Sequence, residues 1–197
     1  MTVVTVILAG GAGSRIGGAK PDRILGGARL IAHALDAASR WRAPVAVAVR
    51  EPVQAAFADG AVILDDPAIQ GPLAGLASAL AWAKDMGADR VLTIPCDMPF
   101  LPPDLLERLE AAMGPDDGVA VAAGGGRLHP VCALWRVQTV DQLHEEAAAG
   151  RLSLTGLSEK VGRVVAEWPV ASRDPFLNVN TREDLRAAEI LLKRPAA

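Results

Sequence analysis

Tyrosine is absent from this 197-residue chain, phenylalanine occurs three times and cysteine only twice. So few aromatics argue against a base-stacking nucleic-acid surface. A net charge of −3 adds no general attraction to polyanions. Cys96 and Cys132 are far apart and form no C-x-x-C pair, and His33, His129 and His144 show no ligand spacing. A disulfide framework and a zinc site are both unsupported. Long hydrophobic runs are missing as well: no stretch reaches the roughly 18 to 20 apolar residues of a membrane span. Val3–Leu8 is too short for a signal-peptide core and has no positive segment before it. The expectation is a cytoplasmic protein with no membrane and no nucleic-acid partner.

Hydrophobic residues make up 51% and charged residues 22%, an ordinary globular balance. The length suits one domain with a substantial core. Short β-like runs alternate with helical spacing, which predicts an α/β domain with a mainly parallel sheet flanked by helices. Strands are expected at Val3–Leu8, Val45–Val49, Ala61–Leu64, Val91–Ile94, Gly118–Ala123, Val131–Trp135 and Arg163–Glu167. Helices are expected from about Leu30 to Trp41, Val53 to Ala58, Pro72 to Lys84, Pro102 to Met113, Val137 to Ala149, Leu152 to Val161 and Arg182 to Lys193.

The chemistry starts where the first strand ends, at Leu8-Ala9-Gly10-Gly11-Ala12-Gly13-Ser14-Arg15-Ile16-Gly17-Gly18-Ala19-Lys20. Bare glycine backbone lets main-chain N–H groups approach an anion, and Arg15 and Lys20 add positive charge. The dinucleotide pattern G-x-G-x-x-G fails because Ile16 stands at its third glycine. The P-loop fails too, because Lys20 is followed by Pro21 rather than a hydroxyl. What remains is a polyphosphate loop of another kind.

Ligands of open α/β sheets sit at the C-terminal ends of strands. Four such places carry suggestive groups: the glycine loop, Asp65, the run Gly71-Pro72-Leu73-Ala74-Gly75, and Asp97. Pro95 and Pro99 flank Asp97 and stiffen its turn. A fixed carboxylate beside a polyphosphate suits Mg²⁺, which takes one or two protein carboxylates plus phosphate and water. His129-Pro130 reads more simply as a turn with a satisfied side chain than as a catalytic base.

In order, L-A-G-G-x-x-x-R-I-G-G-x-K, G-P-L-A-G, P-C-D-M-P-F-L-P, H-P-V and F-L-N-V-N-T span nearly the whole chain. Together they resemble the molybdenum cofactor guanylyltransferase family. The resemblance implies a Rossmann-like nucleotidyltransferase domain that transfers GMP from GTP to molybdopterin cofactor, using Mg²⁺ and releasing pyrophosphate. It implies GTP contacts at Leu8, Ala9, Gly10, Gly11, Lys20, Asp65 and Asp97, with Asp97 also the metal ligand. Arg15, Lys20 and Asp97 would be the catalytic residues. Gly71, Gly75, Asn178 and Asn180 would serve substrate binding. Molybdoenzyme-maturation proteins would be the partners receiving the product. The chain departs from the family pattern at Ala19, where Asp is common, and at Val47, where the family has a nucleotide-contacting Asn.

Three other readings compete. A sugar-phosphate nucleotidyltransferase shares the L-A-G-G start and the Lys20-Pro21 pair. A cytidylyltransferase acting on the same cofactor would more often carry L-A-A-G and lack G-P-L-A-G. A non-catalytic nucleotide-binding adaptor would not need both Lys20 and Asp97.

Overall fold

The apolar runs of the sequence pair side by side into one seven-stranded sheet. The computed structural model describes residues 2–11, 20–55, 60–170 and 173–193. In chain order the elements are β1 (Val3–Leu8), a small hairpin of β2 (Ile24–Leu25) and β3 (Ala28–Arg29), α1 (Leu30–Ser39), β4 (Val45–Val49) and β5 (Ala61–Leu64). Then come α2 (Pro72–Asp85), β6 (Arg90–Pro95), α3 (Leu105–Ala112), β7 (Val119–Gly124) and β8 (Arg127–Arg136). The chain closes with α4 (Val140–Ala148), α5 (Leu154–Lys160), β9 (Arg163–Trp168) and α6 (Arg182–Leu192).

The strand order is β5-β4-β1-β6-β8-β7-β9. Every neighbouring pair is parallel except the two that involve β8. Parallel strands need crossovers on the sheet faces, so both faces are covered and the strands read as continuous apolar runs. The period-two alternation sorts side chains between the faces. Ile7, Val47 and Val49 join α1 and α3 in one cluster, whereas Val4, Val6, Ala46 and Ala48 meet α2 in the other. Small residues face each other across that second interface, Ala46 and Ala48 on the sheet and Ala77 on α2, which lets the helix lie close. A satellite cluster of Leu25, Leu30, Phe100, Val179 and Ala188 fastens α6 beside the start of α1.

The mainly parallel α/β layout is as expected, and β1, β4 and β5 have the expected ends. Other elements differ. The helix expected from Val53 is a 3-10 turn over Pro52–Ala55, and residues 56–59 lie outside the described residues. The helix expected from Val137 opens as a 3-10 turn before α4. The hairpin of β2 and β3 turns on Gly26 and Gly27, both at positive φ (58° and 87°), the conformation a two-residue turn demands.

The largest difference is β8, which is ten residues long and starts upstream of Val131. Its pairing with β7 jumps from Val121↔Ala133 to Ala122↔His129, so Pro130, Val131 and Cys132 stand out of that ladder as a bulge. Proline has no N–H to donate, and a bulge is where a strand tolerates it. His129-Pro130 is thus part of a bulged strand rather than a turn.

Candidate functional site

Main-chain hydrogen bonds step across the C-terminal edge of the sheet and hold its loops in line. Asp65 N–H donates to Val49, Ala9 N–H to Ala48 and Cys96 N–H to Leu8, at 2.8, 2.8 and 3.3 Å. One cavity of about 320 Å³ opens on this edge, lined by Leu8, Gly10, Gly11, Arg50, Asp65, Gly71, Pro72, Gly75, Val131 and Leu154. Six residues singled out from sequence meet in it: Leu8, Gly10, Gly11, Asp65, Gly71 and Gly75. A second cavity of about 410 Å³ shares Arg50, Asp65 and Gly71 with the first.

The glycines are explained by Asp65. A Cβ on Gly10 would fall 2.4 Å from one carboxylate oxygen of Asp65 and 3.1 Å from the Arg50 nitrogen. A Cβ on Gly75 would stand 3.2 Å from the other oxygen and 3.3 Å from Leu8. The carboxylate therefore lies in a slot that exists because both positions lack a side chain. Burial in that slot raises the Asp65 pKa above the ordinary carboxylate value, and the positive charge of Arg50 opposes the rise. Gly71, at φ 71°, precedes Pro72 at the first turn of α2, where the missing proline N–H is no loss.

Asp97 stands two residues past the end of β6, 7% exposed, and caps no helix, since Asp104 occupies the N-cap of α3. Behind it lie sulfur groups: the Cys132 thiol contacts the Met98 sulfur at 3.5 Å. Burial, and then the charge of Asp97, push the Cys132 pKa well up, so this thiol stays protonated and is no nucleophile. Among the described residues no three His, Cys, Asp or Glu gather as a complete metal cage. A single hard carboxylate fits Mg²⁺ if the remaining ligands are substrate phosphates and water.

The Asn178-Val179-Asn180 segment is tied to Asp97, because Val179 N–H donates to the Asp97 carbonyl at 2.9 Å. The Asn178 side-chain oxygen is shielded from solvent and has no hydrogen-bond partner among the described residues. Asn180 supports the start of α6 through its main chain: its N–H and that of Thr181 donate to Asp184, and Asp184 N–H returns to the Thr181 hydroxyl. That reciprocal arrangement is a capping box. His129 stacks on Phe176 with ring centroids 4.6 Å apart. Burial holds the His129 pKa below its ordinary value despite the nearby Asp174 charge and a hydrogen bond with the Gly124 main chain. Its Nε2 is buried and has no hydrogen-bond partner among the described residues, which differs from the satisfied side chain expected.

Some sequence-derived residues fall elsewhere. Ala9 does not line the cavity; it is 2% exposed in the core beneath β1. Val47 is also core, 2% exposed on the α1 face, and cannot reach a ligand. The residue that reaches the cavity from β4 is Arg50, which the sequence reading missed. Its signal was a lone cation immediately after a buried strand. Arg15 and Ala19 lie outside the described residues, and only the main chain of Lys20 is described, in a 3-10 turn over Lys20–Asp22. No described helix is long and apolar enough to cross a membrane.

A cavity at the C-terminal edge of a mostly parallel sheet, built on glycines and one carboxylate, is where an α/β protein of this class receives its ligand. Residues 5–163 match the family model for the MobA-like NTP transferase domain. The chain is 38% identical over 193 residues to a molybdenum cofactor guanylyltransferase from Bradyrhizobium sp. (strain ORS 278), covering 94% of this chain and 91% of the relative. It is 37% identical over 197 residues to one from Cereibacter sphaeroides, covering 100% of both. The crystal structure of molybdopterin-guanine dinucleotide biosynthesis protein A from Archaeoglobus fulgidus superposes with a TM-score of 0.76 at 26% identity, covering 97% of this chain and 98% of that one. The chain belongs to the MobA-like NTP transferases and, within them, to the molybdenum cofactor guanylyltransferase family; it is a nucleotidyltransferase.

Proposed function

We propose that this protein transfers GMP from GTP to the terminal phosphate of molybdopterin cofactor, forming the guanine dinucleotide cofactor and pyrophosphate. The observation that carries this is the Asp65 carboxylate seated between Gly10 and Gly75 in a cavity that ends at the glycine loop. A carboxylate there repels phosphate and accepts hydrogen bonds, so it suits the nucleoside half of a nucleotide. The triphosphate is then assigned to the glycine loop that begins at Gly10 and Gly11, with Arg15 and Lys20 as its cations, and the acceptor to Asn178 and Asn180.

In the reaction an ionised phosphate oxygen of the acceptor attacks the α-phosphorus in line. The new P–O bond forms as the bond to the bridging oxygen of the β-phosphate breaks, and pyrophosphate departs with that electron pair. The nucleophile carries no proton at neutral pH, so no strong base is needed, consistent with the protonated Cys132 and the low pKa of His129. Positioning and charge neutralisation are what remain for the chain to supply. Asp97 would hold Mg²⁺, which would supply positive charge to offset that of the phosphates. Arg15 and Lys20 take the charge of the leaving pyrophosphate. The protein would act in the cytoplasm and pass its product to molybdoenzyme-maturation proteins.

The test is pyrophosphate release from purified protein with Mg²⁺ and each of four NTPs, with and without molybdopterin cofactor. Release with GTP and cofactor together is the expected result. Preference for CTP makes it a cytidylyltransferase, release with a sugar phosphate moves it to that class, and binding without release under every condition makes it an adaptor.

A further inference from the structure

Arg50 shares with Asp65 the wall between the two cavities, and the proposed chemistry has so far given it no task. Its main chain is pinned. Arg50 N–H donates to the Gln54 side-chain oxygen at 2.9 Å, as does Glu51 N–H at 3.0 Å, and Gly10 closes on the same nitrogen. The side chain is exposed at the cavity, so it is open to a ligand.

The surroundings say which part of a nucleotide belongs here. Leu8, Pro72, Val131 and Leu154 supply apolar walls, suited to a planar ring. Asp65 only accepts hydrogen bonds when ionised, and Arg50 only donates. The facing ligand must therefore offer donors on one side and acceptors beside them. Guanine does so, with N1–H and N2–H next to O6 and N7.

We propose that Arg50 is a specificity-determining residue for the nucleobase, its guanidinium donating to O6 and N7 of guanine while Asp65 accepts from N1–H and N2–H. The inference rests on GTP being the nucleotide. Adenine is rejected at both ends: it turns an amino group toward Arg50 where guanine has O6, and it has no N1–H for Asp65. Discrimination of this kind includes repulsion of the wrong ligand as well as attraction of the right one.

The experiment compares kcat/KM for GTP, dGTP, ITP and ATP in the native protein, Arg50→Ala and Arg50→Lys, with thermal melting to check the fold. A bidentate arginine–guanine contact corresponds to about tenfold to a hundredfold. Arg50→Ala should lose that factor with GTP, dGTP and ITP, all of which keep O6 and N7, and none with ATP. Arg50→Lys should recover part of the loss. An equal loss with all four nucleotides, or no loss, overturns the proposal. So does a GTP-to-dGTP ratio that changes in Arg50→Ala, since that places Arg50 on the ribose. A native protein that prefers another base, or turns over none, overturns the guanylyl-transfer reading itself, a result distinguishable from GTP preference unaffected by Arg50→Ala.

Discussion

The N–H of Val179 donates to the main-chain carbonyl of Asp97 across 2.9 Å, joining the end of β6 to the approach to α6. Val179 is fully buried with Phe100 in the satellite cluster, so packing holds this junction as well as the hydrogen bond. Asn178, beside Val179, is therefore positioned by backbone, and replacing its side chain should leave the Asp97 turn in place.

From that junction, Asn178→Ala should weaken the acceptor and spare the nucleotide. Loss of one hydrogen bond to a charged group corresponds to about tenfold in the acceptor KM. Steady-state kinetics with molybdopterin cofactor varied, alongside equilibrium GTP binding, separates the two. A GTP affinity that falls in parallel would place Asn178 on the nucleotide side instead.

Asp97→Asn keeps the shape of the side chain and removes its charge. Turnover at saturating GTP should fall by roughly 10²–10³, the size of a lost electrostatic contact in the transition state. The urea unfolding midpoint should stay near the native value. Near-native turnover that still responds to Mg²⁺ would remove Asp97 from the metal site.

Gly10 and Gly11 are neighbours with opposite tolerance. A Cβ at Gly10 collides with Asp65, whereas one at Gly11 meets nothing within 4 Å. Gly10→Ala should displace the carboxylate, lower GTP affinity at least about tenfold and cost about 1–3 kcal/mol of stability through overpacking. Gly11→Ala should remain close to native in fold and melting temperature. Titration calorimetry and thermal melts on the two variants provide the contrast.

Asp65 should stabilise the protein when its charge is removed. Its folded pKa lies above the unfolded value, near 3.8. Between those two values the native state binds more protons than the unfolded state, so stability falls as pH rises. Above the folded pKa the whole cost is present, and below 3.8 it is absent. Asp65→Asn should thus melt higher than the native protein at pH 7, with the gap closing on acidification, while GTP selectivity is lost. A gap independent of pH would point to packing rather than ionisation.

The central strands are legible in the sequence because both faces of a parallel sheet are buried there, as Val45–Val49 shows. Ala61–Leu64 lies at the sheet edge and is largely exposed, and its ends are plain only because Gly60 and Asp65 punctuate the apolar run. The order of the strands is set by crossovers between distant segments, and no local pattern encodes it. Gly26-Gly27 carried a hairpin signal that two-residue strands were too short to support. At the site, Gly10 and Gly75 were readable from motifs and Asp65 from its place at a strand end, but the reason for the glycines is a three-way contact visible only in space. Arg50 belongs to no motif, and Val47, which stands where the family pattern has a nucleotide-contacting Asn, is buried in the core.

The bulge at Pro130, Val131 and Cys132 interrupts a strand that runs against its neighbours. Its early residues, rather than its late ones, consequently reach the edge where the nucleotide side is built. Val131 projects into the cavity from a segment that owes β7 no ladder pairing. An engineer could recode Val131 alone, and so reshape one wall of the cavity, without breaking a β7 ladder pair, whereas its neighbour Cys132 is fully buried in the core.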